Sequence, residues 1–179
     1  MENKITYDLI KSFNPCYEPE EIGITQGYSA TIPEFIKEYR EKVHDKQDIL
    51  WTLCRHEFMT DKELRLYAVW CARQVQHLMT DERSVNALNV AERYANGLAT
   101  NEELHTARDD AWAAAWDDAK DATRAATRAA AWDATRDAAR TAAWDVAWAA
   151  ARAAARGAAQ NAQIDKLLEI FESKENANC

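Results

Sequence analysis

Every fourth residue from Arg108 to Arg156 is large, in the order Arg108, Trp112, Trp116, Lys120, Arg124, Arg128, Trp132, Arg136, Arg140, Trp144, Trp148, Arg152 and Arg156. Small residues precede each of them. Across 102–156 more than 40% of positions are Ala, with five of the seven Trp and no Gly or Pro. Such a composition commits the segment to helix, because Ala loses no side-chain entropy there and straight-chain Arg loses little. A four-residue period outruns the helical turn, so the large stripe drifts about 40° per repeat and circles the axis in about 36 residues. No single face can stay buried throughout. Ala comes to every side in turn, which suits a helix packed closely by several neighbours, with axes near the short end of the usual ~8–10 Å separation. Asp117, Asp121, Asp133 and Asp137 stand three residues before Lys120, Arg124, Arg136 and Arg140, the spacing of ion pairs along one helix.

Continued unbroken to Phe171, this helix would be about 100 Å long. A compact domain of this length has a radius of gyration of about 16 Å. Breaks are therefore expected near Asp117–Asp121, where Asp can cap a new start, and at or before Gly157, with Asp133–Asp137 as a further candidate. Beyond Gly157, Ile164, Leu167, Leu168 and Phe171 mark an amphipathic closing helix, and 173–179 is expected to fray.

The first hundred residues are punctuated by Thr-x-x-Glu, in which side chains of both residues can satisfy orphan backbone donors at a helix start. Thr31-x-x-Glu34 opens a segment with Ile32, Phe35, Ile36, Tyr39 and Val43 on one face. Thr60-x-x-Glu63 opens a second, expected to span 60–79, with Leu64, Tyr67, Ala68, Cys71, Val75 and Leu78 aligned and Leu66, Val69 and Trp70 widening the stripe. Thr80 or Asp81 can cap a helix carrying Val85, Leu88, Ala91, Tyr94 and Ala95, and Gly97 suits its left-handed end before Thr100-x-x-Glu103. Weaker helical spacing occupies 3–13 and 45–58. Between those two, Pro15, Pro19, Gly23 and Gly27 mark a long loop, and no strand pair is required. The expected fold is all-α, a single-domain multi-helix bundle of about seven to nine helices with an Ala/Trp/Arg-rich hairpin or stack. Within it, 1–59 holds N-terminal helices and loop, 60–100 a two-helix unit, 101–172 the Ala-rich and closing helices, and 173–179 a tail.

Composition limits function. The 179 residues carry a net charge of −8, so no basic field gathers phosphate backbones and general nucleic-acid binding is not expected. Met1 is followed by Glu2 and Lys4 without an apolar run, which argues for a cytoplasmic protein with neither signal peptide nor membrane span. There is no Gly-rich phosphate loop, nucleophile elbow or paired-His helix motif, and no enzyme activity or cofactor is expected. Cys54, His56, Cys71 and His77 lack Cys-x-x-Cys spacing, so buried thiols are preferred to a metal site. Thr123, Thr127 and Thr135 do not recur every eleven residues as in alanine-rich ice-binding helices.

One stripe has recognition chemistry. With Trp112 set to zero on an ideal helix, Trp116 lies near 40°, Trp144 near 320°, Trp148 near 0° and Trp132 near 200°, while Arg124, Arg128, Arg136 and Arg140 sweep from about 120° to about 280°. If the tract folds back, indoles and guanidinium groups can converge, the combination that holds a nucleotide-like signal or anchors a protein partner. Packing competes with that role: among so much Ala, Trp supplies volume and Arg stems cover apolar faces.

The stretch Lys62 to Ala111 ahead of the alanine tract resembles a loosely defined family of bacterial and phage proteins, many of them named as immunity proteins. The resemblance is carried by Leu64-Arg65-Leu66 to His77-Leu78, Thr80-Asp81-Glu82-Arg83-Ser84, Ala91-Glu92-Arg93-Tyr94 with Gly97, and Glu103-Leu104 before Ala107-Arg108. Phe13-Asn14-Pro15-Cys16 is similar to that family's short N-terminal cysteine motif. The resemblance implies a small helical protein that neutralises a toxin or defence effector by stoichiometric binding, without catalysis. Sequestration of a nucleotide-like immune signal in an Arg/Trp-lined cleft is the alternative expectation, and a structural module, including a homo-oligomer, the third. Replacing Arg128 and Arg136 with Ala is expected to weaken partner binding while helicity by circular dichroism stays nearly unchanged; a collapse in thermal stability would assign both to packing.

Overall fold

The computed structural model describes residues 4–43, 45–133 and 138–177, with side chains described through Asp117 and again from Ala155. In chain order the elements are β1 (Lys4–Thr6), α1 (Tyr7–Ser12), β2 (Ser29–Thr31), α2 (Ile32–Tyr39), α3 (Gln47–Leu53), α4 (Asp61–Arg73), α5 (Glu82–Ala95), α6 (Asn101–Asp133) and α7 (Ala138–Ala177), with 3-10 turns at Pro19–Ile22 and Gln76–Leu78. The protein is all-α, with seven α-helices among the described residues. The chain divides into two compact units, Met1–Thr60 with Ala151–Cys179, and Asp61–Ala150.

In the first unit, β1 and β2 pair antiparallel, Ile5 opposite Ala30, a strand pair the sequence did not demand. β1 takes the place of helix at 4–6, and Thr6, itself extended, caps α1 by accepting the Leu9 N–H. The Thr31/Glu34 capping box forms as expected: the Glu34 carboxylate accepts the Thr31 N–H at 2.8 Å and the Thr31 hydroxyl accepts the Glu34 N–H at 3.4 Å. Behind it Ile32, Phe35, Ile36 and Tyr39 are buried, the face read from the sequence. α3 is shorter than 45–58; Cys54 ends it, Phe58 is buried beyond it, and Trp51 stays 42% exposed. The core is completed from the far end of the chain by Ile164, Leu167 and Phe171 of α7. Polar contacts frame that seam: Lys37 to Glu172 at 2.6 Å, Arg40 to Asp165 at 2.7 Å, Lys46 to Asn161 at 2.7 Å, and the Lys174 ammonium to the Phe58 carbonyl at 3.1 Å.

In the second unit, α4, α5 and α6 form an antiparallel series. Arg65 lies 4.8 Å over the Tyr94 ring, and Arg73 donates to Asn89 and Glu92. Arg93 near the α5–α6 turn pairs with Glu103, while Arg83 at the opposite end reaches Asp117 at 3.3 Å. Gly97 occupies the left-handed region at φ 74°, and the Thr100/Glu103 box starts α6 with the Glu103 carboxylate 2.6 Å from the Thr100 N–H. Asp81, rather than Thr80, caps α5.

Several expected boundaries are corrected. No turn interrupts Asp117–Asp121, because α6 is continuous and Asp117 turns sideways to Arg83 instead of capping. α7 passes through Gly157 unbroken; one Gly costs a helix about 1 kcal/mol, which the docking of Ile164, Leu167 and Phe171 outweighs. The 173–177 part of the expected frayed tail is helical. α4 ends at Arg73, short of 79, leaving Val75 and Leu78 46% and 69% exposed rather than aligned on a buried stripe. The candidate break at Asp133–Asp137 falls on 134–137, outside the described residues, as do the side chains for the ion pairs of Lys120, Arg124, Arg136 and Arg140.

The capping boxes make stability depend on pH in a definite sense. Hydrogen bonds from the backbone and then the side chain of Thr31 hold the Glu34 carboxyl below its ordinary value, and Thr100 does the same for Glu103. A carboxyl depressed on folding contributes stability that is present above its unfolded value of about 4.3 and lost as pH falls through the folded value. The melting temperature should therefore drop on acidification below pH about 4.3, and less steeply in E34Q/E103Q; equal slopes would mean that neither box holds in solution. Packing gives a second test. Ala114 is fully buried on α6 and Ala113 exposed, so Ala114→Leu should cost about 1–3 kcal/mol in chemical denaturation and Ala113→Leu no more than about 0.5.

Candidate functional site

On α6 the face turned inward is Leu104, Ala107, Ala111 and Ala114, at the i, i+3, i+7, i+10 spacing of a helix stripe; Ala107 and Ala114 are buried and the other two half-buried. On an ideal helix those residues span about 200–280° when Trp112 is zero, which puts Trp112 and Trp116 nearly opposite. Both indoles are exposed, at 73% and 66%. They lie one turn apart, with His105, Asp109 and Asp117 exposed nearby on the same helix. Arg108 pairs with Asp109, and the Arg83 guanidinium is committed to Asp81 and Asp117, whose charges and hydrogen bonds raise its already high proton affinity. The described acids beside the Trp pair are thus each matched by an arginine.

The first unit contains a different feature, a cavity of about 580 Å³. Ile10, Phe35, Ile24, Ile49, Leu50 and Trp51 supply apolar wall, and Asn14, Pro15, Cys16 and Tyr17 of the long loop close one side. Asn14 adopts the left-handed region at φ 54°, a conformation Asn tolerates better than most residues, and so swings the following Pro15-Cys16-Tyr17 toward α3. Burial, then the charge and hydrogen bond of Asp48, push the Tyr17 hydroxyl above its ordinary value. The Thr52 hydroxyl is spent on the Asp48 carbonyl at 2.7 Å. Arg55 sits outside the lining, its guanidinium 4.3 Å from the Phe13 ring and 4.2 Å from the Trp51 ring, with Nε donating to the Trp51 carbonyl at 3.1 Å.

Of the residues marked by the sequence, Trp112 and Trp116 stand one turn apart on α6, both exposed. The side chains of Arg124, Arg128, Trp132, Arg140, Trp144 and Trp148, and all of Arg136, lie outside the described residues. The cavity was missed as a site, although its signals were present: a Pro- and Gly-punctuated loop and the Phe13-Asn14-Pro15-Cys16 motif. Its lining holds one Trp and no Arg, so it is not the Arg/Trp cleft anticipated for a nucleotide-like ligand. Among the described residues no three His, Cys, Asp or Glu gather as metal ligands, and no helix is long and apolar enough to cross a membrane. No protein-family model, curated protein or solved structure matches the chain.

Proposed function

We propose that this is a non-enzymatic binding protein of the immunity or anti-defence type, which neutralises a bacterial toxin or defence protein by stoichiometric association. The observation that carries the reading is the exposed Trp112/Trp116 pair on α6. Trp is the residue most enriched among interface hot spots, and a rigid helix presents the two indoles with little ordering cost. The chain's net charge of −8 favours a partner whose apolar groove is rimmed by Lys or Arg. Ala113 and Ala115 are also exposed, so packing in this part of the helix does not require bulk on that side.

The test is native mass spectrometry of the protein gently purified from cells with an active toxin or defence system, alongside W112A/W116A. A stoichiometric protein adduct is expected for the native chain, with the double variant binding the isolated partner at least about 30-fold more weakly. Thermal midpoints should match, since the removed rings are exposed. An adduct of a few hundred daltons on both proteins would replace this reading with small-molecule sequestration.

A further inference from the structure

The geometry points to a second binding site in the first unit, the Asp48 cavity, for a small amphiphilic cation: an apolar or aromatic body carrying a protonated amine. At about 580 Å³ the cavity lies in the ~300–1,000 Å³ range of small-molecule sites, and it has their usual composition, an apolar wall with a few convergent polar groups. Among the described residues that line it, Asp48 is the one acidic side chain, and no Lys, Arg or His among them stands beside it. The nearby guanidinium of Arg55 is held on the Phe13 and Trp51 rings and stays outside the lining. Tyr17 donates to Asp48 and Asp45 N–H approaches one carboxylate oxygen at 3.4 Å, contacts that fix the carboxylate's direction without supplying a positive charge. A carboxylate can accept about four hydrogen bonds, so an ammonium has sites left to occupy. The Trp51 ring in the wall, already carrying the Arg55 guanidinium, adds aromatic surface suited to the ligand's aromatic body. An anionic ligand of the same shape would meet Asp48 with like charge and no counter-ion.

Cys16 makes occupancy measurable, because its thiol is free, exposed and part of the cavity lining. In the full chain carrying C54S, C71S and C179S, the rate of Cys16 alkylation by iodoacetamide is followed with added 2-phenylethylamine, or with 3-phenylpropanoate of matched shape and opposite charge. The amine is expected to slow alkylation at least about tenfold at saturation, the carboxylate to leave it unchanged, and Asp48→Asn, which keeps the side-chain shape, to abolish the difference. Equal protection by both probes, protection by neither, or protection by the amine that persists in Asp48→Asn would overturn the proposal. Thermal shift of the unmodified protein with the same two probes gives a readout that does not depend on the serine variants: the amine alone should raise the midpoint, and equal shifts or none would count against the site.

Discussion

Ala107 and Ala114 are buried to 3% and 0% exposure, and because each carries only a methyl group, the α5 and α6 backbones can approach closely along their shared seam. That seam decides what the rest of α6 does. A stripe spaced 3-4-3 must leave the helix's other large residues outside, and the four-residue series beginning at Arg108 supplies Trp112 and Trp116 at the opposite angle. Ion pairs hold the two helices in register at both ends, Arg93 with Glu103 by the turn and Arg83 with Asp117 at the far end. Exposed pairs contribute little energy individually. Their part is alignment, since a shift of one residue along the seam would bring bulk where only a methyl group fits.

The first unit solves a different problem. α1, α2 and α3 have six, eight and seven residues, lengths at which an isolated helix is unstable in water. They are held by caps, by the short β1–β2 pairing, and by a common apolar core that lacks a wall until Ile164, Leu167 and Phe171 arrive from about 110 residues later in the chain. Loop-closure entropy rises only logarithmically with the length bridged, so the cost of recruiting that wall from so far away is modest beside three buried large side chains.

Where backbone chemistry is local, the sequence was readable. Thr31/Glu34, Thr100/Glu103, Asp81 and Gly97 each act through atoms within a few residues, and each sits as its spacing indicates. Long-range effects were not readable. Asp117 resembles a cap until the partner on α5 is known, and Gly157 resembles a stop until the docking of the helix beyond it is known. β1 and β2 carry no alternation long enough to announce a strand, and their three-residue pairing joins Ile5 to Ala30 across the loop. The cavity depends on Tyr17 meeting Asp48 across thirty-one positions, a separation at which neither residue predicts the other. By contrast, the Trp pair on α6 was visible as a shared face, and only its side, outward rather than inward, required the structure.

The two candidate recognition features depart from a minimal fold in opposite ways, and this bears on what each can bind. A Trp side chain buries about 150–250 Å² when covered, so leaving two in water forgoes several kcal/mol of apolar burial. Ala113 and Ala115 on the same helix demonstrate that small residues serve there equally well for helix formation. That stabilisation remains available to a partner, and a flat, rigid pair of rings is best matched by a surface large enough to cover both at once. The cavity instead keeps unfilled volume behind a loop stiffened by Pro15 and Pro19, with one carboxylate fixed by Tyr17. A half-open space of that size suits a small molecule better than a helix or strand of another protein. The two proposed contacts call on different chemistry: desolvation of indoles in the first, pairing with the half-buried Asp48 carboxylate in the second.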